Sequence, residues 1–242
     1  MAVKAGIITQ ARMTSTRLPG KVLKEVRGVP LLKYHIDRLS WSQLPVVVAT
    51  TINREDDPIV QMCQHLKVPY FRGSEQDVLG RFYGAAEQEK LDIIVRVTSD
   101  CPLIDGHLIS KAVQDFKSKN SENIYLSNCL KRSFPRGMDF EVFSFADLKT
   151  AFHEADKAFQ REHVTPFINQ NVTGMIKQVD FTSDDDYSSW RLTVDEESDF
   201  ALIKKMIEDF RCDEMTFDQL KVVLKTHPEL KLINAHIEQK KL

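Results

Sequence analysis

The chain has 242 residues, 42% of them hydrophobic and 28% charged, with 33 Lys and Arg against 35 Asp and Glu for a net charge of −2. That is the balance of a globular protein long enough to bury a core without staples, and it excludes disorder, collagen-like repeats and a coiled coil. It also removes the basic surface on which general nucleic-acid binding depends. Cysteines at 63, 101, 129 and 212 form no C-x-x-C pair, and the seven histidines show no ligand spacing. A zinc ribbon and a disulfide scaffold are therefore not expected, and reduced thiols are. The opening apolar run is too short for a signal peptide, and no window approaches 18 apolar residues. The expectation is a cytoplasmic protein with no membrane span.

In chain order, Val3–Thr9 reads as a buried strand and residues 10–21 as an irregular polar loop. Pro30 opens a helix to about Trp41, and Pro45–Thr50 is a strand without polar alternation, as in a sheet covered on both faces. Helices follow over Asp56–Leu66, Gln76–Glu89 and Ile104–Phe116, and strands over Val68–Arg72 and Asp92–Val97. This alternation of strand and helix predicts βαβ units and a mostly parallel, doubly wound sheet, α/β and Rossmann-like. Ligands of such sheets lie beyond the carboxyl ends of the strands, here the loops after Thr9, Thr50, Arg72 and Val97.

After residue 123 the rhythm changes. Ile124–Ser127, Lys131–Phe134, Asp139–Phe143, Met175–Phe181 and Ser189–Thr193 read as strands, and Ser144–Ala155, Arg161–Gln170 and Asp199–Phe210 as helices. Two short helices finish the chain. The expectation is one domain over 1–242, with 123–181 an inserted α+β lobe that shares the main core.

The loop after the first strand carries the most chemistry. The first 24 residues hold Lys4, Arg12, Arg17, Lys21 and Lys24 and no acid. Arg forks bind phosphate oxygens in pairs and Lys adds a point charge, so the loop reads as a polyphosphate cradle or as a solvated basic loop. It is not a Walker A loop, because Ser15 stands where the first Gly belongs and Val22 follows Lys21. Asp100 follows the apolar Ile93–Val95 and reads as a Mg²⁺ ligand or as a cap, while Asp105 suits the cap of the next helix. Asp195 also ends a short strand and reads as a turn or capping residue, with Ser198 an alternative cap. Arg136, Asp139 and Glu141, with Arg161, Glu162 and His163, line a sugar pocket or form a salt-bridged lobe. Asp184–Asp186 reads as a solvated loop.

Together these segments resemble the cytidylyltransferases that activate acidic sugars. Arg12–Lys21 is similar to the R-x-x-S-x-R-x-P-x-K signature of the 3-deoxy-manno-octulosonate and acylneuraminate enzymes. The SpsF-type group, of spore coat polysaccharide biosynthesis, shares Gln10–Leu23, Asp100–Asp105, Arg161–Pro166 and Arg191–Asp195. The resemblance implies a Mg²⁺-dependent nucleotidyltransferase that moves CMP from CTP to an acidic 2-keto-3-deoxy sugar and releases pyrophosphate. By it, Arg12, Ser15, Arg17 and Lys21 hold the triphosphate, and Gln10, Ala11, Arg72, Asp77 and Thr98 surround the nucleoside. Asp100 and Asp195 match the two metal-binding aspartates, so Arg12, Lys21, Asp100 and Asp195 are the expected catalytic set. The octulosonate enzymes carry Gln-Gly before the aspartate where this chain has Thr98-Ser99. A homodimer through the inserted lobe is also implied. The alternatives are a glycosyltransferase that uses a nucleotide-sugar donor, for which Asp184-x-Asp186 has the spelling, and a non-catalytic nucleotide-binding module.

Overall fold

The computed structural model describes residues 3–119, 121 and 123–238. Met1 and Ala2 of the opening run, and the last residues of the expected 1–242 domain, lie outside them.

The first four predicted strands form where the apolar runs put them, as β1 (Ala5–Gln10), β4 (Val46–Thr51), β5 (Tyr70–Gly73) and β6 (Ile93–Thr98). Between β1 and β4 lie a two-residue ribbon, β2 (Glu25–Val26) with β3 (Val29–Pro30), and helix α1 (Leu31–Ser40). Helices α2 (Asp57–Leu66), α3 (Val78–Gln88) and α4 (Gly106–Ser118) make the crossovers. Three further strands, β7 (Ile124–Ser127), β8 (Glu141–Ser144) and β9 (Lys177–Asp180), extend the same sheet in the order β5-β4-β1-β6-β8-β7-β9. Pairs from β5 to β6 are parallel, whereas β8 runs antiparallel to both β6 and β7. Helices α5 (Phe145–Glu154), α6 (Ala158–His163), α7 (Pro166–Asn169), α8 (Glu197–Phe210) and α9 (Phe217–Thr226) complete the molecule.

Side-chain alternation divides the core between the two faces of the sheet. Ile8, Val47 and Ile94 pack with Leu79 and Phe82 of α3 and Leu148 of α5, while Ile7, Val95 and Val142 pack with Ile109 and Val113 of α4. Arg38 of α1 is 1% exposed and donates to the carbonyls of Ile104, Asp213 and Met215, which ties α1 to the segments that precede α4 and α9. Burial pushes its pKa down to about 10. Asp105 caps α4 as its position predicts, accepting from the His107 amide at 2.7 Å, and its second oxygen accepts from the Phe217 amide at 2.6 Å.

Three expectations need correction. Lys131–Phe134 is a turn, not a strand. Ser189–Thr193 pairs only through a single bridge, Arg136 with Arg191. There the Arg136 amide donates to Trp190 and the Leu192 amide to Arg136, and Gly137 lets the two segments touch. A Cβ on Gly137 would lie 2.5 Å from the Leu192 carbonyl carbon. The helix expected over Arg161–Gln170 is two short helices, broken where Val164 takes φ 70° ahead of Pro166.

Candidate active site

A cleft of about 1040 Å³ opens beyond the carboxyl ends of β1, β5 and β6. Its walls come from the loop after β1, the turn from β5 into α3, the end of β6 and the α6 segment. Gln10, Ala11, Arg12, Ser15, Arg17, Lys21, Asp77, Thr98, Asp100, Arg161, Glu162, His163 and Asp195 all line it. Arg72 does not: it donates to the carbonyls of Thr51 and Asn53 and pairs with Asp57 at 2.8 Å. Arg136, Asp139 and Glu141 also stand off the lining. Asp139 pairs with Arg132, and Glu141 is buried against Arg96, Tyr125 and Thr165. Asp184–Asp186 is an exposed loop in which Asp185 pairs with Lys225.

The basic loop is held in shape from below. Asp56 accepts from the Met13 amide at 2.7 Å through one oxygen and from both Thr51 and Thr50 hydroxyls through the other. Gly20, at φ 67°, turns the chain back so that its amide reaches the Met13 carbonyl at 2.9 Å, and Lys21 follows at once. Glu75 gathers Arg12, Thr14 and Asn53. The Thr14 hydroxyl is the main reason that its carboxyl lies below the usual range, with Asn53 and Arg12 adding to it.

A backbone contact brings the two aspartates together. The Val194 amide donates to the Asp100 carbonyl at 2.8 Å, which joins the segment after β6 to the segment before α8. Lys21 Nζ then lies 2.9 Å from Asp100 Oδ2 and 2.7 Å from Asp195 Oδ1. Asp195 Oδ2 faces Arg17 and Arg191, each at 3.0 Å. Arg191 is itself locked by Asp199, which is fully buried and also accepts from Asn234. Burial alone would raise the Asp100 pKa, but the Lys21 charge and hydrogen bonds from Thr98, Lys21 and Cys101 outweigh it and hold the carboxyl well below its ordinary value. Burial alone would lower Lys21, and the two carboxylates reverse that shift and raise it.

The end of β1 and the Asp100 turn are pinned by His35 of α1, which is fully buried. Its Nδ1 donates to the Cys101 carbonyl at 2.9 Å, so Nε2 accepts from the Thr9 hydroxyl at 2.9 Å. Burial lowers its pKa to about 4 despite the carbonyl and Asp100, and Arg38 adds to the drop. The unfolded chain, with a pKa near 6.5, takes up the proton first as pH falls. Stability should therefore be lost between about pH 6.5 and pH 4, by about 3 kcal/mol in all. Urea unfolding of wild type and His35→Gln across that window checks this, since a glutamine cannot contribute the acid limb. An unchanged slope in the variant would rule the histidine out as its source.

Arg81 and Arg96 line the cleft without being among the expected site residues, whereas Gln10 is expected there. Gln10 Oε1 and the Nε atoms of Arg81 and Arg96 are buried without a partner among the described residues, and all three side chains line the cleft. Arg96 carries a readable signal, a charge inside an otherwise apolar strand; Arg81 is hidden in a helix and is recognised only by its burial.

A mostly parallel sheet with this cleft, a cationic loop after its first strand and two carboxylates paired to that loop defines a Rossmann-like nucleotidyltransferase. Known proteins refine that class. A cytidylyltransferase family model matches residues 6–241. A cytidylyltransferase structure from Leptospira borgpetersenii superposes with a TM-score of 0.91 at 34% identity, covering 99% of this chain and 100% of that one. The spore coat polysaccharide biosynthesis protein SpsF of Bacillus subtilis is 31% identical over 83% of this chain and 85% of its own. A 3-deoxy-manno-octulosonate cytidylyltransferase of Hydrogenovibrio crunogenus is 26% identical over 61% of this chain and 60% of its own. The chain belongs to the cytidylyltransferase family, and it is an enzyme of nucleotidyl transfer.

Proposed function

We propose that the enzyme transfers CMP from CTP to a hydroxyl of an acidic sugar of the 2-keto-3-deoxy class, releasing pyrophosphate, for surface polysaccharide synthesis. The observation that carries this is the convergence of Asp100 and Asp195 on Lys21 Nζ, in a cleft that Arg12, Ser15 and Arg17 of the same loop also line. The names of the SpsF and octulosonate relatives support a saccharide acceptor.

Mg²⁺ is the proposed cofactor. Two hard carboxylate oxygens that already meet at a single cationic atom are the donor set Mg²⁺ takes from a protein, the rest of its shell being phosphate and water. When bound it would neutralise phosphate charge and lower the pKa of the attacking hydroxyl. Arg12, Arg17, Lys21 and Ser15 hold the triphosphate and stabilise the charge that develops on pyrophosphate. The acceptor approaches from the side of Arg161, Glu162 and His163, so that its hydroxyl meets the α-phosphorus in line with the leaving oxygen. Positioning and charge supply the rate, and no dedicated general base is needed.

Among the described residues no helix is long and apolar enough to cross a membrane, and Cys63, Cys101, Cys129 and Cys212 are free thiols, which suits the cytoplasm. Leu130, Phe159, Val172 and Met175 are exposed on the 123–181 segment, which supports a homodimer through it.

Thermal unfolding with CTP, UTP, ATP and GTP, each with and without Mg²⁺, tests the reading without knowledge of the sugar. A ligand at about 100 times its Kd adds about 2.7 kcal/mol, and CTP with Mg²⁺ should give the largest shift. No response to any triphosphate in folded protein would refute the polyphosphate cleft; preference for another base would keep the chemistry and overturn CTP.

A further inference from the structure

Lys21 does not point at open cleft. Its ammonium sits between Asp100 Oδ2 and Asp195 Oδ1, and it is the most buried of the three, with 11% of its side chain exposed. The other oxygens of the pair are already engaged: Asp195 Oδ2 by Arg17 and Arg191, Asp100 Oδ1 by the Cys101 thiol. The two oxygens that meet at Nζ are thus the two that a divalent cation would use. Two carboxylates held this close in a partly desolvated floor need a neutralising charge at all times. A metal and the ammonium cannot both occupy the point where the oxygens meet.

We propose that Lys21 is the resident counter-ion of the Asp100–Asp195 pair and is exchanged for the divalent cation when a polyphosphate draws the ammonium away. This rests on the reading of Asp100 and Asp195 as metal ligands. Lysine suits such an exchange because it is a compact point charge on a flexible four-carbon stem, whereas a guanidinium would hold the carboxylates through a fixed fork. The destination is adjacent, because Arg12, Ser15 and Arg17 of the same loop line the same cleft. Exchange makes the binding of metal and triphosphate cooperative, and by linkage the coupling is reciprocal. It also keeps the free enzyme from holding a metal where no substrate is present to complete the shell.

The decisive experiment uses Mn²⁺ alone as the probe, with no nucleotide and no turnover. Full-length wild type, Lys21→Met, Lys21→Gln and Lys21→Met/Asp195→Asn are titrated by calorimetry and by thermal unfolding. The neutral variants should unfold at lower temperature without metal, bind Mn²⁺ at least about tenfold tighter than wild type, and regain stability on binding it. The double variant should lose that gain. Equal Mn²⁺ affinity in wild type and both neutral variants overturns the exchange. So does a failure of both variants to fold even in Mn²⁺, since a cation able to replace the ammonium should rescue them. A parallel arm measures CTP binding to wild type and Asp195→Asn with and without Mg²⁺. If Mg²⁺ strengthens CTP binding only in wild type, the ligand assignment stands and the exchange alone has failed. If Mg²⁺ has no effect on either, the ligand assignment fails with it.

Discussion

Asp100→Asn should lower turnover by about 1000-fold, roughly 4 kcal/mol of transition-state stabilisation, while the protein stays folded. The substitution keeps the shape of the side chain and removes one negative charge from a pair that converges on Lys21 Nζ. The fold should tolerate it. The Asp100 backbone carbonyl still receives the Val194 amide, and the turn is still pinned by His35 through the Cys101 carbonyl. Lys21 keeps Asp195 as its partner at 2.7 Å. On the proposed reading, what is lost is one of the two charged oxygens that would hold the cation, because an amide is a poor ligand for a hard cation. Pyrophosphate release with an acceptor found by screening measures the rate, and far-ultraviolet circular dichroism checks the fold. CTP should also stabilise the variant with less help from Mg²⁺. A folded Asp100→Asn enzyme with a near-normal rate would remove this carboxylate from the mechanism.

The parallel half of the sheet was legible because its central strands, β1, β4 and β6, are buried on both faces. Pro45–Thr50 and Asp92–Val97 read as strands from apolar runs alone, within a residue of the observed Val46–Thr51 and Ile93–Thr98, and an apolar run on a doubly covered sheet needs no partner to be recognised. Beyond residue 123 the same reasoning weakens. Ser189–Thr193 is largely buried, but its backbone bonds go to Arg136, and that of the next residue, Val194, to Asp100, instead of to a sheet. Apolar patterning reports burial and is silent on which segment supplies the hydrogen bonds. The site shows a similar division. The cations of the first loop and the position of Asp100 follow from a strand end in a parallel sheet. The joining of Asp100 to Asp195 does not, since it depends on a contact between segments far apart in the chain. Glu75, which gathers the Arg12 and Thr14 side chains, and Arg81 are ordinary polar residues in sequence and gain meaning only from what they touch. Arg136 and Asp139 suggest a pocket from sequence, yet the Arg136 backbone bonds to Trp190 and Leu192 and the Asp139 carboxylate accepts from Arg132.

Asp199→Ala should cost about 3–5 kcal/mol of stability, the range for breaking a buried ion pair by removing one partner. No part of Asp199 is exposed, and each of its oxygens is saturated. Oδ1 accepts from Arg191 Nε and Asn234 Nδ2, both at 2.9 Å. Oδ2 accepts from Arg191 Nη2 and the Asp195 amide at 2.9 Å, and from the Glu196 amide at 3.1 Å. Alanine would leave the Arg191 guanidinium, 8% exposed, without its principal counter-charge, and would strip acceptors from two amides at the start of α8. For a chain of this size the melting temperature should fall by about 10 °C. The damage should reach the site as well as the fold. Arg191 would turn its whole charge on Asp195, whose amide would have lost the acceptor that fixes it, so the carboxylate facing Lys21 would no longer be held in register. Asp199→Asn separates the two effects, since an amide keeps some of the hydrogen bonds while removing the charge. Urea unfolding of both variants measures the loss. A cost below about 1 kcal/mol for alanine would mean that water or Asp195 compensates Arg191, and that the buried carboxylate is not what orders the segment carrying Asp195.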